Sequence, residues 1–381
     1  MIGIFIGIAA VVALMSLGQG LQNSIEEQFQ KLGSNKIIIQ ERGVQGPPGS
    51  GTSESRKLTS KDLDVVREVN RVKNAAGLIF KTGKIEKNDE IKFVFIQGAP
   101  LEPEEKEVIG FFDVVEGRDL KKGDTKKIVI GQNYKEGRVF QKKTEIGSKI
   151  SIEGVDFEVI GFFEKVGNPF DDSAIIMPKE EMKKLFNIED EESLIYAEVE
   201  NVDEIQNVKQ NIEQRLRKLR HEEEDKETFE TTTSDQILQQ FTNIFGIVQA
   251  VLVGIAGISL LVGGVGIANT MYTAVLERTK EIGIMKAIGA KNSDILLVFI
   301  VESGLIGLIG GAIGVMIGLG LSKLTEYFAS VQLGTNLLQA STSPVIIISA
   351  LLFSFLIGII SGVTPAFRAS KLNPVDALRY E

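Results

Sequence analysis

The chain has no cysteine and only one histidine. The first absence excludes disulfides, thiolate nucleophiles and cysteine metal sites. The second leaves His221, in the run HEEED, without the further members that a histidine metal site or a Ser-His-Asp triad needs. Such a charge run ordinarily forms a solvated face. No G-x-x-x-x-G-K-[ST] segment occurs, so the sequence carries no P-loop for ATP. The GGVG at 263–266 lies inside an apolar run and cannot serve as one. Lys and Arg number 42 against 51 Asp and Glu, with no basic stripe, which excludes a nucleic-acid binder. Asp171 and Asp172 follow a Gly-Asn-Pro turn and read as loop-shaping, because a two-carboxylate site needs a second cluster.

Charge is also missing from long stretches. None lies between Asp235 and Glu277, and Glu302 alone interrupts 295–322. A spanning helix needs about 20 apolar residues, and four segments qualify: 2–21, 244–272, 295–321 and 345–363. The first has no basic leader, which argues against a cleaved signal peptide. It also continues past the membrane, since Leu17, Leu21, Ile25, Phe29 and Leu32 share one helical face and Gly33 suits a C-cap. The uncharged run after Asp235 is longer than one bilayer requires. Its first part, 236–243, is therefore read as helix projecting outward from an N-cap at Ser234, forming a stalk with the first helix.

The whole acidic excess lies within residues 26–235. The short segments that follow spans two and four carry Arg278, Lys280, Lys286, Lys291, Arg368, Lys371 and Arg379, whereas the loop 322–343 offers only Lys323. By the positive-inside rule both chain ends are cytoplasmic and the acidic insert is outside. Strand-like composition marks 36–40, 91–97, 127–130, 149–152, 157–163 and 196–199, and Thr59 or Ser60 caps a helix running to about residue 70. RGVQGPPGSGTSESR, 42–56, reads as a mobile loop. Residues 202–220 form an amphipathic helix with Ile205, Val208, Ile212, Leu216 and Leu219 on a core-packing face. The expected fold class is thus an α-helical membrane protein with four transmembrane helices plus an inserted α+β extracytoplasmic domain. Its parts are 1–33 (first span and stalk), 34–233 (outer domain) and 234–381 (stalk, three spans and a cytoplasmic helix).

Within the apolar runs, Gly310, Gly314 and Gly318 recur every four residues, as do Gly246, Ala250 and Gly254, and Gly3 with Gly7. Small residues at this spacing let helix backbones approach closely, either inside one subunit or between two. Glu302 is a costly intramembrane acid that needs a partner. Asn269, Thr270, Tyr272 or a basic residue of 277–291 is within reach, so that Glu302 would tie span three to the inner end of span two.

Between spans two and three lies ERTKEIGIMKAIGAKNSD, too short for a domain and too regular for a slack loop. A helix over 277–289 would place Ile282, Met285 and Ile288 on a narrow apolar face, with Glu277, Arg278, Lys280, Glu281 and Lys286 on its other sides and Gly289 as its stop. It could rest on the membrane surface. Its mixed charges suit a protein groove better than anionic lipid.

This segment, extended to ERTKEIGIMKAIGAKNSDI, resembles the loop after the second span of FtsX-like permeases of the MacB type, subunits of ABC transporters. TPAFRASKLNPVDALRYE at 364–381 resembles that family's C-terminal signature, and IGIFIGIAAVVALMSLGQGLQ its first span. EGRDL at 116–120 and IGSKISIEGVDFEVIGFF at 146–163 are similar to its extracytoplasmic domain, and Glu302 stands where many members have an acid. The resemblance implies two paired permease subunits, a homodimer in preference to a heterodimer, with the stalks of spans one and two meeting. It implies a coupling helix at 277–289 docked on a separate ABC ATPase, which would hold the ATP and Mg, no cofactor being bound by this chain. Other implied partners are membrane lipid and an extracytoplasmic substrate or adaptor. The expected activity is export of a peptide, drug or lipid-linked molecule by motion transmitted across the membrane, without catalysis in this chain. Relatives carry a cytoplasmic segment before the first span, so the start codon is expected upstream of Met1. Two rivals remain: a non-transporting regulator that activates an envelope hydrolase, and a membrane-anchored enzyme acting through 26–235.

Overall fold

Thirty-one residues from Ile2 to Leu32 form the first helix, α1, which ends where Gly33 takes φ +89°, a conformation open to glycine. In this computed structural model, which describes residues 2–43, 57–110, 113–333, 335 and 337–378, two units are resolved. One comprises Met1–Ser24, Thr242–Gln332 and Leu338–Glu381; the other comprises Ile25–Phe241 and Leu333–Leu337. Most of the expected loop at 42–56, and Arg379, lie outside the described residues.

The chain continues through β1 (Lys36–Glu41), α2 (Ser60–Arg67), β2 (Val72–Lys87), β3 (Glu90–Ala99), α3 (Pro103–Ile109), β4 (Val114–Gly117) and β5 (Lys127–Ile130). Then come α4 (Gln132–Lys135), β6 (Lys149–Ile152), β7 (Val155–Phe163), β8 (Ile175–Pro178), α5 (Lys179–Leu185), β9 (Leu194–Val199), α6 (Ile205–Arg220) and β10 (Phe229–Thr233). The remainder is helical: α7 (Ser234–Glu277), α8 (Thr279–Ala287), α9 (Asn292–Phe328), α10 (Pro344–Ser370) and α11 (Pro374–Leu378).

The ten strands form one sheet in the order β10-β1-β9-β2-β3-β8-β5-β7-β4, with β6 bridging β2 and β7. Its two halves share β2. Residues 72–78 pair with β9 and residues 79–87 with β3. Around β1 the side chains alternate between two cores, as strand geometry requires. Ile37 and Ile39 pack with Leu63 and Val66 of α2 and with Val208, Ile212 and Leu216 of α6. Ile38 faces the opposite side with Leu78, Phe80 and Tyr196. The second half closes on Ile96, Ile128, Ile130, Tyr134, Phe157 and Phe162.

The helix expected over 202–220 opens as a 3-10 turn at Val202–Glu204 and continues as α6 from Ile205; its Leu219 is only half-buried, while Arg220 is buried beside it. His221 follows with φ +56° as the exposed C-cap of α6. Asp172 is fully buried and accepts the Val166 and Gly167 N–H groups, so it shapes its own loop.

The N-cap expected at Ser234 is instead Thr233. Gln236 N–H donates to Thr233 Oγ1 at 3.2 Å, and Thr233 N–H donates to Gln236 Oε1 at 3.1 Å. This reciprocal pair is a T-x-x-Q capping box, and it starts a helix of 44 residues. α1, α7, α9 and α10 are long and apolar enough to cross a membrane. Their shared core includes Ile8, Val12, Leu260, Ile267, Phe299 and Val315. The molecule is a four-helix membrane protein with an α+β extracytoplasmic domain inserted after α1.

Small residues set the helix contacts in the membrane unit. A Cβ placed on Gly3 would meet the Gly263 backbone at 3.2 Å, and one on Gly7 would meet Leu260 at 3.3 Å, so α1 lies against α7. Gly314 and Gly318 sit against Ile8, Ala9 and Val12, which brings α1 close to α9. Gly310 is buried. Gly246 and Gly254 have nothing within 4 Å of a Cβ position, so their side of α7 is open in the protomer. A further seam joins α9 to α10. Gly304, Gly307 and Gly311 meet Phe355, Ser354 and Gly358, and Ser354 Oγ donates to Gly307 O at 2.9 Å.

Candidate functional site

The charged segment between the second and third spans is two helical pieces rather than one. α7 runs through Glu277, and Arg278 breaks the helical geometry as the N-cap of α8. Backbone bonding nonetheless continues across the break, from Arg278 N–H to Ala274 O and from Ile282 N–H to Arg278 O. Thr279 Oγ1 donates to Val275 O at 2.9 Å, a side-chain bond that perturbs helices from within. At the other end Ala290 N–H reaches Met285 O and Gly289 N–H reaches Lys286 O. With Gly289 at φ +109°, these bonds make a Schellman stop. Asp294 then accepts the Lys291 N–H and starts α9.

The apolar face expected from Ile282, Met285 and Ile288 is divided by this geometry. Ile282 is fully buried in the membrane-unit core and Met285 packs partly against it, whereas Ile288 is 82% exposed at the C-cap. Ile284, on the outer side, is half-exposed. The reason is that α8 lies flat on other elements of its own chain, α11 among them. Glu277, Lys280 and Glu281 are exposed.

Lys286 does not belong with them. Its ammonium donates to Ser370 O at 2.6 Å and to Leu372 O at 2.8 Å, which satisfies carbonyls left open at the C-terminus of α10. Two more polar contacts fasten this end of the unit. Arg278 Nη1 donates to both carboxylate oxygens of Glu302, at 3.0 and 3.2 Å. The Arg368 guanidinium lies 5.1 Å from the Tyr272 ring centroid, tying α10 to α7. α8 is therefore clasped to α9 at its start and to α10 near its end.

The Arg278–Glu302 contact gives a direct test. A double-mutant cycle with Arg278→Met and Glu302→Leu, read by thermal unfolding in lipid nanodiscs, should return a coupling of about 1 kcal/mol. A coupling indistinguishable from zero would show that the pair does not hold α8 to α9.

Reading the sequence missed the Lys286 cap, the Arg368–Tyr272 contact and the docking of α11. The last had a readable signal, since Asn373-Pro374 is an N-cap followed by proline at N1, and Asn373 Oδ1 accepts the Val375 N–H. Among the described residues no group of three or more His, Cys, Asp or Glu is placed to hold a metal.

Residues 1–215 match the MacB-like periplasmic core domain, and residues 253–374 match the FtsX-like permease C-terminal region. The chain belongs to the MacB-like, FtsX-like ABC transporter permeases. An uncharacterized ABC transporter permease of Methanocaldococcus jannaschii is 37% identical over 381 residues, covering all of this chain and 93% of the relative. The uncharacterized permease YknZ of Bacillus subtilis is 29% identical over 389 residues, covering 94% of that protein. The macrolide export ATP-binding/permease protein MacB of Bdellovibrio bacteriovorus is 33% identical over 393 residues; this permease chain spans 59% of its length.

Proposed function

We propose that this permease works with an ABC ATPase carried on a partner subunit, which binds ATP and Mg, and that α8 is its docking element. The observation that carries the reading is the pairing of an exposed outer side, with Lys280, Glu281, Ile284 and Ile288, and an inner side clasped to α9 and α10. A rigid helix held in this way passes motion to the spans without a substrate channel of its own. The 37% identity to an ABC transporter permease, over all of this chain and 93% of that relative, supports a permease role beside an ATPase. The basic bias of the segments after spans two and four supports cytoplasmic placement of α8 and of both chain ends. Two such permeases would pair, as a homodimer, through the open side of α7. Hydrolysis would then drive α1, α7 and the outer domain, exporting a peptide, drug or lipid-linked molecule.

The test is co-purification of the full chain with a candidate ABC ATPase subunit, wild type against Ile284→Glu with Ile288→Glu. Both side chains are exposed, so the variant should fold and yet lose the ATPase from the complex. Undiminished retention by the folded variant would remove α8 from the docking surface. If the ATPase binds and is stimulated by an envelope hydrolase but by no exported compound, the transport half of the proposal fails.

A further inference from the structure

Three basic side chains of the membrane unit are matched within the protein. Arg278 pairs with Glu302, Lys323 with Glu326, and Lys286 with two backbone carbonyls. Arg368 and Lys371, at the end of α10, rest on aromatic rings instead. The Arg368 guanidinium lies 5.1 Å from the Tyr272 ring centroid, and the Lys371 ammonium 4.3 Å from that of Phe367. Among the described residues neither cation has a carboxylate partner or a hydrogen-bond acceptor for its side chain.

Their place on the helix relates the two cations to the lipid-facing surface. Leu356, Ile360, Val363 and Phe367 are exposed and recur at i, i+4, i+7 and i+11, so they form one apolar stripe along α10. Lys371 continues that stripe by one more turn. Arg368 stands three residues before Lys371, a spacing that sets Cβ atoms about 5–6 Å apart on a helix, so one phosphate group can reach both long side chains. α7 lies alongside, since a Cβ on Gly264 would meet Ser361 Oγ at 2.6 Å, two turns before the Arg368–Tyr272 contact. A hydrocarbon core takes about 20 residues of helix, which counted from Val345 ends at about residue 364. Arg368 lies one turn beyond, so both cations stand at headgroup depth.

An anion at a helix C-terminus ordinarily meets open carbonyls and the negative end of the dipole. Here the Lys286 ammonium covers Ser370 O and Leu372 O, which offsets that repulsion. Two cations without an acid, at the head of an apolar stripe, fit a phosphate joined to acyl chains. A choline headgroup would bring a third cation to the same place, so the fit is to a lipid of net negative charge. A soluble phosphate compound would make no use of the stripe.

We propose that the ends of α7 and α10 hold one anionic phospholipid, its phosphate bridging Arg368 and Lys371 and an acyl chain lying along the stripe from Phe367 to Leu356. The site is independent of the reading of α8, because binding is measured without any ATPase.

Dioleoylphosphatidylglycerol titrated into the full chain in neutral detergent, followed by native mass spectrometry, should show one lipid per chain bound at least about tenfold more tightly than dioleoylphosphatidylcholine, since two cations act on its net charge. Dioleoylglycerol, with the same chains and no phosphate, should bind no better than the phosphatidylcholine. Glycerophosphoglycerol, the same headgroup without chains, should not displace the lipid. Arg368→Gln and Lys371→Gln should each weaken phosphatidylglycerol about fivefold. Lys291→Gln, which removes an exposed cation at the start of α9, should leave it unchanged. Arg368→Lys keeps the charge and should retain most of the affinity; a loss as large as that of Arg368→Gln would trace the effect to packing on Tyr272 and overturn the contact. Equal binding of phosphatidylglycerol and phosphatidylcholine by the wild type overturns the proposal without any variant. An equal loss with Lys291→Gln would mean that diffuse surface charge attracts the lipid and that no site exists. Displacement by glycerophosphoglycerol would assign the two cations to a soluble phosphate compound and overturn the lipid reading.

Discussion

Gly358→Val should destabilise the membrane unit by about 3 kcal/mol, near the top of the usual range for overpacking. A Cβ there lies 2.4 Å from Ser303 O, 3.1 Å from the Gly307 Cα and 3.2 Å from the Gly304 Cα. All three obstacles are backbone or Cα atoms, so no flexible side chain can swing away. The opposite helix gives no relief, because a Cβ on Gly307 would meet Ser354 O at 2.4 Å. The two helices can separate only by giving up the bond from Ser354 Oγ to Gly307 O. In lipid that loss is not offset by water, which is why small residues dominate such seams. Gly254→Val is the control. With nothing within 4 Å of its Cβ position, it should change protomer stability by no more than about 0.5 kcal/mol. Should the open side of α7 pair with a second copy, the same change would weaken association instead, which mass photometry in nanodiscs can read. Thermal unfolding that ranks Gly254→Val as the more damaging of the two would contradict the packing described here.

The contrast between these glycines shows where sequence reading reached its limit. The four-residue spacing of Gly310, Gly314 and Gly318 was legible because helical periodicity is local. Which helix each glycine meets was not, since Gly314 touches Ile8 and Phe5 some three hundred residues away. The long uncharged runs were legible for the same reason that they exist, namely that a bilayer core tolerates little charge. In the outer domain, β1 and β7 announced themselves by β-branched and aromatic runs. β2 did not, because VKNAAGLIFKTGKIEK mixes glycines and lysines and serves two half-sheets with different neighbours. The helical wheel of the charged segment placed Ile282, Met285 and Ile288 together, but α8 has only nine residues and begins at a break. Its buried side is chosen by the elements it rests on, and Lys286 is held by carbonyls of α10 that no local pattern reveals. Arg220 is the plainest case. It ends a polar stripe in the sequence, yet it is buried because Asp62, 158 residues earlier, lies waiting for it.

That pair supplies the second large effect. Arg220→Met should cost the outer domain about 3–5 kcal/mol, the usual consequence of leaving one member of a buried ion pair alone. The side chains of Arg220 and Asp62 are 2% and 3% exposed. Two parallel bonds join them, Nε to Oδ1 at 2.9 Å and Nη2 to Oδ2 at 3.0 Å. The guanidinium also donates to Lys57 O and Thr228 Oγ1, so methionine strands a charge and two further acceptors. Lysine should recover only part of the loss, because a single ammonium cannot reproduce the planar fork. Asp62 has a second task, accepting the Thr59 N–H at 2.8 Å at the start of α2. Removing both partners, as Asp62→Leu with Arg220→Met, should therefore restore much of the stability but fall short by the roughly 1 kcal/mol that a helix cap contributes. Since domains have only about 5–15 kcal/mol in total, the single variant should open α2, α6 and β10 to solvent while the spans stay protected. Hydrogen exchange on the full chain in nanodiscs separates the two regions. A fall of under 1 kcal/mol for Arg220→Met, the scale of an exposed ion pair, would mean that water reaches Asp62. The pair would then not be the lock between α2 and α6.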